Sequence, residues 1–224
     1  MTEVLLAPSM MCANFSNLEK EVKDLDKAGT DIFHIDFMDG TFVPNFGMGL
    51  QDFEYIKSST NTLVDVHLMI QNPGDYVDLF ADKGADIIYI HPEVDTHPAR
   101  TLDKIIAKGK KAGIAINPGT SLETVRELLP LIDYMMIMTV NPGFAGQSYL
   151  DYVDPKIEEA VKIGREFEFE VMVDGAISEE KIYSLSKLGV KGFVLGTSTL
   201  FGKERSYETI LNKVRENVRK GGAK

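Results

Sequence analysis

Tryptophan is missing from the 224-residue chain, and cysteine occurs once, as Cys12. A single thiol cannot close an internal disulfide, which excludes a disulfide scaffold and fits a reducing cytoplasm. Basic residues are the scarcer charge. Against 34 Asp and Glu there are 24 Lys and Arg, leaving a formal net charge of −10. Nucleic-acid binding needs a basic surface, so that partner is not expected. Any anion the protein takes must be small and held locally. Long apolar runs are also lacking, so no membrane span is expected. The opening MTEVLLAPSMM carries no basic n-region of a secretory signal. What is left, 44% apolar and 26% charged residues, is the composition of an ordinary cytoplasmic globular protein.

Short apolar, β-branched runs then recur at even spacing: VLLAPSM, DIFHIDFM, LVDVHLM, DIIYIH, GIAIN, YMMIMTV, FEVMVDG and GFVLGT. Amphipathic stretches such as SNLEKEVKDLDKAG and DYVDLFADKGAD separate them, with helical spacing. Glycine closes several of these: KAG at 27–29, KG at 83–84, KAG at 111–113 and LG at 188–189. Eight strands alternating with about as many helices predict an α/β fold, a (β/α)8 TIM barrel. The smaller doubly wound fold would need fewer strands. No linker or low-complexity segment breaks the pattern, so one domain over 1–224 is expected, frayed only at the tail RKGGAK.

In such a barrel, chemistry sits where strands end. The ends carry Ser9, His34 with Asp36, Asp65 with His67, His91, Asn117, Asn141, Asp174 and Gly196. His34, Asp36 and Met38 share one face of their strand and Phe33, Ile35 and Phe37 the other, by the period of two. His34, Asp36, His67 and Asp174 can meet as two nitrogen and two oxygen ligands of one divalent metal. The plainer alternative is four separate buried polar residues, each needing its own partners. Asp65 is placed behind a histidine ligand. His91 fits substrate contact and support equally well, and His97 reads as a surface loop residue. Cys12 reads as a small buried hydrophobe. Met38, Met69 and Met138 read as core filling or as an apolar lining of the site. Glycines follow strands six, seven and eight (NPGFAGQ, DGA, GTS) with no Lys or Arg beside them. Backbone amides bind phosphate in such loops, which points to a phosphorylated small substrate.

APSMMCANF, HIDFMDGTFVPN, DVHLM, MTVNPGFAGQ and VDGAI, in this order, resemble the ribulose-phosphate 3-epimerase family over almost the whole chain. The resemblance implies a (β/α)8 barrel that inverts carbon 3 of a ketose phosphate with one divalent metal. Zinc is the expected ion, with Co, Mn, Fe or Mg as alternatives. It also implies His34, Asp36, His67 and Asp174 as ligands, and Asp36 and Asp174 as the acid/base pair on opposite faces of an enediolate. Ser9, His67, Gly143, Phe144, Ala145, Gly146, Gly175, Ala176, Gly196 and Thr197 would contact the sugar or its phosphate. The variants PSMMCANF, GFAGQ, VDGA and GTSTLF resemble the allulose-6-phosphate 3-epimerase branch. D-Allulose 6-phosphate to D-fructose 6-phosphate is therefore the expected reaction, and D-ribulose 5-phosphate to D-xylulose 5-phosphate the alternative. A Schiff-base aldolase would need a lysine at a strand end, and none is there. A non-catalytic phosphosugar-binding protein would have no use for two opposed carboxylates. Subunit count is left open, a homo-oligomer included.

Overall fold

Residues 32–38 show how the chain chooses its architecture. IFHIDFM is buried along its whole length, as strands of a sheet covered on both faces must be. Phe33, Ile35 and Phe37 turn outward into the core beneath the helices. Ile32, His34, Asp36 and Met38 take the other face. The computed structural model describes residues 4–221. It contains eight strands: β1 Leu5–Pro8, β2 Ile32–Met38, β3 Leu63–Met69, β4 Ile87–Ile90, β5 Lys111–Ile116, β6 Tyr134–Met138, β7 Glu170–Asp174 and β8 Gly192–Leu195. All seven ladders are parallel, in the order β1-β8-β7-β6-β5-β4-β3-β2. A parallel bridge between Ser9 and His34 joins the two ends. The result is the expected (β/α)8 barrel.

The connections are α1 Leu18–Lys27, α2 Leu50–Ser59, α3 Val77–Asp82, α4 Pro98–Ala107, α5 Asp154–Phe167, α6 Glu179–Leu188 and α7 Tyr207–Gly221. Between β5 and β6 the chain instead winds a 3₁₀ helix over Leu122–Leu131. Pro130 lies inside it and offers no amide hydrogen, so regular α-helical bonding cannot run through. Gly29, Gly84 and Gly189 end their helices with positive φ, as expected. The KAG at 111–113 does not. It lies inside β5, and α4 already stops before Gly109, whose φ is +70°. Gly113 has another purpose. A Cβ there would stand 2.3 Å from Tyr89 Cδ1, so the glycine is the seat of the Tyr89 ring inside the barrel. Ala7, Ile32, Ile87, Ala115, Met136, Met172 and Val194 fill the rest of that interior. Arg219 and Lys220 form the last turn of α7, where cations suit the helix dipole, and 222–224 lie outside the described residues. Among the described residues no helix is long and apolar enough to cross a membrane.

Candidate active site

Strand register assembles the site. Asp36 on β2 lies opposite His67 on β3, Met138 opposite Asp174, and Ser9 opposite His34. Side chains one layer from the open end therefore converge. His34 Nε2 and His67 Nδ1 each approach Asp36 Oδ1 at 3.2 Å, and His67 Nδ1 lies 3.8 Å from Asp174 Oδ2. Ligand atoms of His34, Asp36, His67 and Asp174 all lie within 4.8 Å of one another. Both histidines are fully buried and Asp36 nearly so, while 17% of the Asp174 side chain is exposed.

What stands behind these groups decides whether a cation fits. His34 turns Nδ1 to Asp65 Oδ1 at 2.7 Å, with both side chains fully buried. Nε2 is thereby left for the centre, the usual arrangement of a carboxylate behind a ligating imidazole. His67 turns its outer nitrogen, Nε2, to His91 Nε2 at 2.9 Å. Ser9 Oγ donates to Asp36 Oδ2 at 2.7 Å, leaving Oδ1 toward the histidines. Two imidazoles held from behind and two carboxylates make an N₂O₂ donor set suited to zinc or a similar divalent ion. The residues fit a metal.

The two carboxylates differ electrically. Burial works to raise the Asp36 pKa, but His34 and His67 beside it win and hold it well below the carboxylate range. Asp174 is pushed up to about 6, by burial first and then by the charge of Asp36. Burial opposes the charge on His34, yet Asp65 and Asp36 outweigh it and raise its pKa well above the usual value. His91 goes the other way, lowered to about 4 mainly by burial. One aspartate is thus ionised and its neighbour tends to keep a proton, as expected of close like charges.

Above this cluster opens a cleft. Met38, Met69 and Met138 line it, joined by Met11, which the sequence did not single out. Around the rim lie Gly143, Phe144, Ala145 and Gly146 after β6, Gly175 and Ala176 after β7, and Gly196 and Thr197 after β8. Among the described residues no Lys or Arg lines it. Gly175 is indispensable to its loop: φ is +120°, and a Cβ would meet Val140 Cγ2 at 2.5 Å. Thr139, fully buried and unremarked in the sequence, holds that loop by donating its hydroxyl to the carbonyls of Asp174 and Gly175. Gln147 braces the preceding one through Asn141 O at 2.6 Å and Phe144 O at 2.9 Å.

Ser9 lines the cleft while its hydroxyl donates to Asp36. Two other readings are refined. Cys12 packs against the core but is only partly buried and also faces the cleft; its thiol is pushed up by burial and by Asp36, so it is not a ready thiolate. His91 is fully buried behind His67 and does not line the cleft, which removes substrate contact from its two readings. His97 is exposed, as expected.

Comparison with known proteins agrees with this geometry. A ribulose-phosphate 3-epimerase of Bacillus subtilis is 38% identical over 203 residues, covering 89% of this chain and 93% of its own. One from Synechocystis sp. is 41% identical over 199 residues, covering 87% and 86%. Among solved structures, 3-hexulose-6-phosphate synthase from Salmonella typhimurium superposes with a TM-score of 0.71 at 18% identity. It covers 99% of this chain and all of the other, a likeness of fold alone. The model of the family described as "Ribulose-phosphate 3 epimerase family" matches residues 5–201. With a match of that length and relatives this similar, the chain belongs to the ribulose-phosphate 3-epimerase family of enzymes.

Proposed function

We propose that the chain is a metal-dependent 3-epimerase interconverting D-ribulose 5-phosphate and D-xylulose 5-phosphate, acting in the cytoplasm as one (β/α)8 domain over 1–224. The observation that carries the chemistry is the pair Asp36 and Asp174. They belong to β2 and β7, lie in one ligand cluster at the floor of a cleft, and have opposite protonation tendencies. The sugar is taken from the curated relatives, which are ribulose-phosphate 3-epimerases.

Inversion at carbon 3 needs one group to remove a proton and another to deliver one to the opposite face. Asp36, ionised between two imidazoles and oriented by Ser9, is the acceptor in one direction. Asp174, the more readily protonated of the two carboxyls before any metal binds, is the donor. Their roles exchange for the reverse reaction. His34, Asp36, His67 and Asp174 would hold a divalent ion, which would supply Lewis-acid polarisation of the ketose carbonyl and lower both carboxyl pKa values. Met38, Met69 and Met138 keep water from the reacting carbon. The glycine loops at Gly143–Gly146, Gly175–Ala176 and Gly196–Thr197 hold the phosphate through backbone amides, consistent with the absence of basic side chains from the lining.

A second reading rests on GFAGQ and GTSTLF: these variants favour allulose 6-phosphate and fructose 6-phosphate as the pair. One experiment decides. The kcat/KM for ribulose 5-phosphate and for allulose 6-phosphate is measured on one metal-loaded sample, with deuterium uptake at carbon 3 followed in D₂O. Preference for the pentulose supports the first reading and preference for the hexulose the second. Turnover of neither, by protein with its metal verified, overturns both.

A further inference from the structure

Apart from the contact of His91 with His67, the HPE stretch at 91–93 and the NPGT stretch at 117–120 have no part in the site described so far. His91 is fully buried, clamped between two rings: His67 at 5.1 Å between centroids and Phe42 at 4.7 Å. Nε2 of His91 meets Nε2 of His67 at 2.9 Å, and its Nδ1 faces Glu93 Oε2 at 3.4 Å. The other oxygen of Glu93 is fixed from the next loop. Oε1 accepts from the Asn117 amide at 2.8 Å and from the Thr120 hydroxyl at 2.6 Å. That loop is itself held from α5, where Lys156 Nζ donates to the carbonyls of Asn117, Pro118 and Thr120 at 2.8, 2.8 and 2.9 Å.

Proton placement follows from these contacts. An imidazole that coordinates through Nδ1 carries its proton on Nε2. His67 then donates from Nε2, His91 must accept on Nε2, and the one proton of neutral His91 sits on Nδ1, toward Glu93. We propose that Glu93 and His91 are positioning residues. Together they form a carboxylate-ended relay that fixes the ring and tautomer of His67, so that Nδ1 presents a lone pair to the metal. The inference rests on the metal-dependent reading above. His34 has its carboxylate, Asp65, in direct contact. His67 has its own one imidazole further away, on a separate loop.

The test compares the full-length protein with Glu93→Ala and with the isosteric Glu93→Gln, which decides if the alanine variant does not fold. Zinc affinity is read by competition with a chromophoric chelator. ¹⁵N-edited NMR of the zinc-loaded proteins reads the imidazole protons. In the parent, His67 Nε2–H and His91 Nδ1–H should both be present and slow to exchange. Glu93→Ala should bind zinc 10- to 100-fold more weakly, in the range seen when such outer partners are removed. The His91 Nδ1–H should exchange with water faster than in the parent, and KM for the ketose phosphate should stay within twofold at saturating zinc. Glu93→Gln should fall between the two. Zinc affinity within twofold of the parent in a folded variant, or an unchanged exchange rate of the His91 Nδ1–H, overturns the relay and leaves the epimerase reading standing. A parent that binds no divalent metal overturns both, before any variant is made.

Discussion

The barrel interior has two halves built from the same strands and filled in opposite ways. Toward the strand N-termini, Ile32, Ile87, Tyr89, Met136 and Met172 make an apolar plug. One layer further along, His34, Asp36, His67, His91 and Asp174 bring five ionisable side chains together. The alternation of the strands is identical in both halves, and only residue choice differs. The fold's stability and its chemistry are thus separated along each strand, as expected of barrels whose sites lie at one face. Substitutions in one half should leave the other largely untouched.

Stripping the metal is the severest test of that division. Exhaustive chelation should abolish epimerisation, and zinc, cobalt or manganese should restore it, while circular dichroism shows the barrel intact. Full activity in verified metal-free protein would falsify the mechanism. Loss of the fold together with the metal would show that the plug cannot stand alone.

Asp174→Asn should lower kcat by roughly 10²–10⁴-fold, as loss of a general acid or base does. Its effect on stability should have the opposite sign. In metal-free protein the Asp174 pKa is raised from 3.8 to about 6. The folded state therefore binds a proton that the unfolded state has released between those values. Stability from this group is full below pH 3.8 and is lost as pH rises through 6. Metal-free Asp174→Asn should then be more stable than the parent at pH 7, by at most about 3 kcal/mol, and indistinguishable from it near pH 3.5. Urea melts at the two pH values check this, and equal midpoints at pH 7 would contradict it.

Gly113→Ala breaks the plug instead. Tyr89 must give way to the new methyl group, which should cost about 1–3 kcal/mol of stability as overpacking does. Steady-state kcat on the ketose phosphate should stay within a few-fold. A kinetic collapse without loss of stability would mean that the halves are coupled through Tyr89.

Much of this was legible before folding. The alternation in IFHIDFM and LVDVHLM placed His34, Asp36 and His67 inward, because period-two geometry is local and strict. The seat under Tyr89 was not legible. KAG at 111–113 matches a helix stop in its own neighbourhood, and only the partner on β4 shows why glycine is needed. The Ser9–Asp36 contact and the cleft-facing place of Cys12 escaped for a similar reason: the first spans 27 residues, and the second depends on the loop after β8. His91 could be resolved only once Glu93, Asn117 and Lys156, from three different connections, stood together.

The smallest expected effect lies at the rim. Ala176 adopts φ +53°, a conformation a Cβ disfavours. Ala176→Gly should gain under about 1 kcal/mol, because the relief of strain is partly offset by the added freedom of the unfolded chain. A loss of stability would show that the Ala176 methyl packs usefully.

The closure between β1 and β2 has a consequence for how the barrel breathes. Seven register pairs join β2 to β3, whereas β1 and β2 share one bridge. Asp31 supplements that seam, its Oδ2 accepting from the Leu6 amide at 2.8 Å and its own amide donating to Leu6 O at 3.2 Å. Arg215, reaching from α7, binds both Asp31 Oδ2 and Gly29 O at 2.7 and 2.6 Å. A helix from the far end of the chain therefore straps the thinnest part of the cylinder. In deuterium exchange, the Leu6 and Asp31 amides should label well before those of Val64 to Leu68, and Arg215→Ala should quicken the first group alone.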